Sequence, residues 1–294
     1  MKNTVILYHK NCMDGNGAYY AAYKKYGDEA MYLAVNDRDN MPQELTHLYS
    51  QNQNNTEALK SVDVFVLDFC FSQEISLKLK NDFKKLIIID HHISSQEDIK
   101  IASEYVYGTD KSGAYLSWEY FHPNTEIPLL IQYISDGDIW ANQMPDYKKV
   151  LNYIHSPTTK DILTYLDEVS YDIENNFSKV LAIGDMLEDA RNSRVNALLE
   201  TKQKVNFMGY DVYAVNGNRE MRSEVGHELA KLSGTFGIYF YISEGKLRIS
   251  LRSVKDFDVS VMAAKLGGGG HKNASAFDCD FDLQTIFDLQ KSSK

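Results

Sequence analysis

The stretch LIIIDHHISS, residues 86–95, sets four aliphatic residues directly ahead of an acid and two adjacent histidines. A short aliphatic run of this kind is the pattern of a strand covered on both faces. Two further runs share it: TVILY at 4–8 is followed by His9, and VDVFVL at 62–67 is followed by Asp68. Between them lie helical patterns. GAYYAAYKKYG closes on Gly27, and SQEISLKLKNDF opens with Ser72 followed by Glu74, the start and stop signals of helices. Strands alternating with helices predict a parallel α/β sheet with right-handed crossovers. Ligands of such sheets sit beyond the carboxyl ends of the strands. His9, Asp68, Asp90, His91 and His92 all fall there.

Composition bounds the reading. The chain has 294 residues, 44% of them apolar, with 20 Tyr, 13 Phe and 5 Pro, which is the make-up of a folded protein of two domains. No apolar run reaches the roughly 18 residues of a membrane span, and VILY near the N-terminus is too short for a signal peptide. A cytoplasmic protein with no membrane partner is expected. Cys12, Cys70 and Cys279 are far apart and odd in number, so neither a disulfide framework nor a thiolate zinc knuckle is expected. The net charge of −10, from 31 basic and 41 acidic residues, opposes tight binding of long nucleic acid, whose affinity comes from phosphate neutralisation.

Further along, SGAYLSWEYFH and IPLLIQYIS read as helices, the second delivering Asp136 and Asp138 in DGDIW. The pattern then turns long and helical. The fold class expected is α/β, a parallel-sheet N-terminal domain over 1–170 joined by a long helix over 171–205 to a smaller α+β C-terminal domain over 206–294. In that last part DVYAVNG, EVGHELAKLSG, a hairpin around SEGK and DVSVMAAKL give strand, helix, hairpin and helix. Imidazoles and carboxylates converging at strand ends suit manganese, magnesium or zinc, and a pair of ions requires a shared carboxylate. Asp68 is placed for that bridge.

These motifs together resemble the DHH-family phosphoesterases that carry a DHH-associated C-terminal domain, a superfamily with RecJ-type exonucleases and nano-RNases. The resemblance spans the chain: HKNCMDG at 9–15, LDF at 67–69, DHH at 90–92, DGDIW at 136–140 and GGGGHKNASAF at 267–277. It implies two divalent ions, manganese first and magnesium second, held by His9, Asp14, Asp68, His91 and Asp136. Asp136 is preferred over Asp138 because its spacing to Trp140 resembles the family's. Asp90 would orient a neighbouring histidine, and His92 would face the phosphate. In the second domain Arg252, Gly268, Gly269, Gly270 and His271 resemble the positions that grip the substrate, the two domains forming a cleft.

The first motif departs from the family, whose members carry two aspartates there. HKNCMDGNG has only Asp14, with Asn11, Cys12 and Asn16 near the vacant place, and either asparagine offers a neutral amide oxygen. His47, His122, His155 and His227 are assigned to structure. The expected activity is a phosphodiesterase releasing nucleoside monophosphates from short RNA or linear dinucleotides, in a chain compatible with a homodimer. A phosphatase for pAp-type nucleotides is the alternative within the same chemistry. A catalytically weak nucleotide or metal sensor is the alternative outside it.

Overall fold

A computed structural model describes residues 2–51 and 56–280, so the last 14 residues of the expected C-terminal domain lie outside it. The chain divides into two compact units, Met1–Glu188 and Asp189–Lys294.

The first unit begins with β1 (Thr4–His9), α1 (Met13–Tyr26), β2 (Met31–Val35), α2 (Gln43–Gln51) and the short α3 (Thr56–Leu59). It continues with β3 (Asp63–Leu67), α4 (Gln73–Asp82), β4 (Lys85–Asp90) and β5 (Glu104–Tyr107), then α5 (Gly113–Phe121), α6 (Leu129–Asp138), α7 (Tyr147–Ile154) and α8 (Ile162–Asn175). Among the described residues its five strands form one parallel sheet in the order β2-β1-β3-β4-β5. The three aliphatic runs are the three central strands, as the α/β reading requires.

Why these runs are apolar at consecutive positions along their centres follows from strand periodicity, which sends successive side chains to opposite faces. Val5, Leu7, Val64, Val66, Leu86 and Ile88 pack with Leu45 of α2 and Leu79 of α4. Ile6, Phe65, Leu67, Ile87 and Ile89 pack on the other face with Ala18, Ala21 and Ala22 of α1 and with Leu116 and Phe121 of α5. The small face of α1 draws that helix close. Each fully buried aliphatic side chain contributes roughly 1.5–3 kcal/mol, so both faces hold the strand ends in fixed register. A third cluster, with Ile134, Val150, Leu166, Val169 and Val180, joins α6, α7 and α8 to the next helix.

That helix, α9, spans Phe177–Glu200. The single helix expected over 171–205 is therefore divided. Asn176 stops α8, its amide donating to Asp172 Oδ1 at 2.8 Å while its backbone leaves the helical region at φ −131 and ψ 38. Asparagine side chains compete with helical backbone bonding in this way. At the far end, Gln203–Phe207 is strand β6.

The second unit adds β7 (Tyr210–Asn216), α10 (Arg222–Ser233), β8 (Phe236–Ser243), β9 (Lys246–Ser253), α11 (Ser260–Lys265), β10 (Gly269–His271) and β11 (Ala274–Asp280). Among the described residues its sheet runs β10-β11-β9-β8-β7-β6, antiparallel except where β7 meets β8. Val212, Phe236, Leu251, Val259 and Phe277 form the core between this sheet and α11. Among the described residues no helix is long and apolar enough to cross a membrane.

Candidate metal centre

The carboxyl edge of the parallel sheet gathers the polar residues that follow its strands. His9 is the last residue of β1 and Asp90 the last of β4. Asp68 follows β3 in a left-handed backbone, φ +62, a conformation in which aspartate is among the few tolerated non-glycine residues. Its amide donates to Ile89 O at 2.9 Å, pinning the turn to the neighbouring strand. Asp14 sits in the first turn of α1.

Asp68 stands between two imidazoles. Its Oδ2 lies 3.2 Å from His9 Nδ1, and its Oδ1 lies 3.4 Å from His91 Nε2. His91 Nε2 is also 3.6 Å from Asp14 Oδ2 and 3.4 Å from Asp138 Oδ2. Asp14 is fixed from its other side: the amides of Gly113 and Ala114, at the start of α5, donate to Oδ2 and Oδ1 at 2.7 and 2.9 Å. These are the orphan N–H groups of a helix N-terminus, where negative charge is favoured. The approach of α5 needs glycine at 113, because a Cβ there would stand 2.7 Å from Asp68 Cβ and Oδ1.

Asp90 completes the loop. Its Oδ1 accepts the His91 and His92 amides at 2.8 and 3.3 Å and meets His92 Nδ1 at 2.7 Å, which places the proton on Nδ1 because a carboxylate only accepts.

Burial makes this an expensive collection of charge. Asp14 and Asp68 are each 1% exposed and Asp90 is 0% exposed. Burial, followed by the charges of Asp68 and Asp138, pushes the Asp14 carboxyl well above the usual range, and burial raises Asp138 as well. Burial also acts on Asp68, but hydrogen bonds to His9 and His91 outweigh it and hold its carboxyl low. Asp68 in turn raises His9 to about 10 through their hydrogen bond, with Cys12 adding to the effect. Among the described residues, Asp90 Oδ2 has no hydrogen-bond partner, and Asp68 Oδ1 has His91 Nε2 at 3.4 Å. Buried carboxylates of this kind need a cation or a proton. The donors fit divalent ions: Asp14, His91 and Asp138 present ligand atoms within 4.8 Å of one another, and so do His9, Cys12 and Asp68.

Of the expected ligands, His9, Asp14, Asp68 and His91 are brought together. Asp136 is not, and this corrects the choice between the two acids of DGDIW. Its Oδ1 and Oδ2 accept the amides of Gln143 and Met144 at 2.8 and 3.2 Å, closing the loop after α6. Residues two apart on a helix differ by about 200°, so only one of the pair faces the cluster, and that one is Asp138. Trp140 is 84% exposed in a left-handed backbone, φ +58. It borders a pocket of about 230 Å³ shared with Cys12, Asp14, Asp138 and His155.

In the second unit, Arg252 and Gly269 line a pocket of about 210 Å³ with Arg222, Tyr241, Arg248 and Ser275. Arg252 donates to Ser250 Oγ at 2.9 Å and to Ser223 Oγ at 3.2 Å. Gly268, Gly270 and His271 lie on the adjoining segment: a Cβ at Gly268 would meet Ala276 O at 2.1 Å, while His271 is exposed on β10. Arg222 and Arg248 were not singled out from sequence, since isolated arginines carry no motif.

No family model matches the chain. Uncharacterized protein R106 of Acanthamoeba polyphaga mimivirus is 28% identical over 92% of this chain, which spans 66% of that protein's length. Oligoribonuclease NrnB of Bacillus subtilis is 25% identical over 96% of the chain and 74% of its own length. The solved DHH domain of a member of a family of ribosomal proteins superposes with a TM-score of 0.59 at 12% identity, covering 100% of this chain and 87% of the other.

Proposed function

We propose, from a fold like that of a solved DHH domain and a sequence similar to that of an oligoribonuclease, that the chain is a DHH-family, metal-dependent phosphodiesterase acting on short oligonucleotides or linear dinucleotides. The observation carrying this reading is Asp68, whose two carboxylate oxygens face His9 on one side and His91 on the other. His9 and Asp68 would hold one divalent ion; Asp14, His91 and Asp138 would hold a second, with Asp68 shared, manganese being the first choice. Bound there, such ions supply an activated water and neutralise charge on the phosphoryl oxygens.

The protein's own groups set the rest. The α5 N-terminus orients Asp14. Asp90 fixes the His92 ring and, by their hydrogen bond, raises its proton affinity, so His92 is held to face a phosphate oxygen. Trp140 offers an exposed ring beside the cluster on which a terminal base stacks. In the second unit, the Arg252 pocket, with Arg222 and Arg248 beside it, suits a further phosphate. The excess of acidic residues favours a substrate of few phosphates over a polymer. NrnB, an oligoribonuclease, supports the same substrate class.

The test is a substrate series with manganese: a labelled dinucleotide, a five-mer, a twenty-mer, pAp and pyrophosphate, against wild type, His91→Ala and Asp68→Ala. The expected result is turnover of the dinucleotide and five-mer, abolished in both variants. Preference for pAp selects the phosphatase reading. Nucleotide binding without turnover in the wild type selects a sensor.

A further inference from the structure

The first motif lacks one of the family's two aspartates, and the structure puts a thiol where a ligand is needed. Cys12 occupies the residue before α1, with φ −122 and ψ 138, yet its side chain makes no capping hydrogen bond. Its Sγ lies within 4.8 Å of ligand atoms of His9 and Asp68, which are within the same distance of each other. Asp68, buried at 1% exposure, presents Oδ2 to His9 Nδ1 at 3.2 Å.

Packing does not account for this cysteine. Cys70 belongs to the apolar cluster on one face of the parallel sheet, and Cys279 packs against the core of the second unit. Cys12 belongs to no apolar cluster among the described residues. It stands three residues beyond His9, beside two other donors.

We propose that Cys12 is a thiolate ligand, and that the position it shares with His9 and Asp68 takes a zinc- or cobalt-class ion in preference to magnesium. This rests on the reading of the cluster as a metal centre. One sulfur, one imidazole nitrogen and one carboxylate oxygen form the donor set of a borderline ion in tetrahedral surroundings. Magnesium prefers octahedral oxygen and dehydrates reluctantly, so a thiolate is a poor exchange for its water. The second set, Asp14, His91 and Asp138, contains no sulfur and keeps the affinity for harder ions. The two positions therefore differ in the metal they select.

Cobalt(II) added to the metal-free full-length protein tests this directly. Wild type is expected to develop a sulfur-to-cobalt charge-transfer band in the near ultraviolet. Cys12→Ala and Cys12→Asp are expected to lack the band while keeping visible d–d absorption from cobalt at the remaining ligands. Calorimetry should show the tighter zinc site of wild type weakened about 100-fold or more in Cys12→Ala, the upper end of what losing even an outer partner of a ligand costs. Cys12→Asp should gain magnesium affinity. Aspartate is itself a favoured helix N-cap, so that variant keeps the fold. Cobalt bound to wild type without a sulfur band overturns the proposal and leaves the metal centre standing. If no cobalt binds at all, both fall.

Discussion

Gly113→Ala tests whether α5 is held against the centre as tightly as the contacts imply. A Cβ at 113 would lie 2.7 Å from both Cβ and Oδ1 of Asp68, about 0.7 Å inside ordinary contact at 3.4 Å, and 2.9 Å from Asp68 Cα. Asp68 has little room to yield, because its amide is bonded to Ile89 O and its side chain is buried. Forcing a methyl into such a place costs about 1–3 kcal/mol. For a domain of this size each kcal/mol lowers the melting temperature by roughly 2–4 °C, so a fall of roughly 2–12 °C is expected in thermal unfolding followed by circular dichroism. Relief comes from moving α5, Asp68 or both. Either motion displaces a proposed ligand, Asp68 itself or Asp14 through its bonds to the Gly113 and Ala114 amides. Misplacement approaching 1 Å costs on the order of 100-fold in rate, so manganese-dependent turnover of a dinucleotide should drop about 10- to 100-fold. Gly269→Ala is the thermal control, since a Cβ there meets nothing within 4 Å; it should stay within about 0.5 kcal/mol of wild type. An unchanged melting temperature and unchanged turnover in Gly113→Ala would refute the close approach of α5 to Asp68.

Three further outcomes are expected. Asp138→Ala should abolish tight manganese binding by calorimetry, whereas Asp136→Ala should retain it and lose about 1–3 kcal/mol of stability, because the Gln143 and Met144 amides lose their acceptor. Buried Asp172 accepts hydrogen bonds from Tyr153, Lys179 and Asn176, which together overcome burial and lower its carboxyl to about 2. A carboxyl lowered on folding contributes stability that is present above its unfolded value near pH 4 and lost as pH falls toward 2. The gap in unfolding free energy between wild type and Asp172→Asn, measured by urea titration, should accordingly shrink by about 2 kcal/mol from pH 6 to pH 2. Trp140→Ala should raise KM for a dinucleotide about 10-fold, the cost of one stacked base, and leave kcat on a base-free phosphodiester unchanged; equal KM values would remove Trp140 from substrate binding.

The three central strands and the residues at their carboxyl ends were legible because a doubly covered strand is apolar throughout and then stops. The edge strands β2 and β5 were not, since MYLAV is only partly buried and EYVY carries no buried position. Ser72 stands where a helix start was expected, but its side chain makes no capping bond. The identity of the acid after α6 depended on helical rotation, which spacing within a motif does not report. Asn176 divided the predicted connecting helix through a side-chain bond to Asp172 that periodicity in apolar residues does not register. The role of Cys12 was hidden for a different reason: its partners His9 and Asp68 lie 59 residues apart, and only the pairing of β1 with β3 brings them together.

The left-handed turn at Asp68 bears on how such a protein can change over generations. Its backbone admits glycine, asparagine and aspartate at little cost and penalises nearly every other amino acid. Neutral drift at this codon is therefore confined to a few neighbours, and asparagine is the replacement that spares the turn while removing the negative charge. A lineage that abandons chemistry but keeps the folded chain should show Asn at this position before it shows Ala or Val.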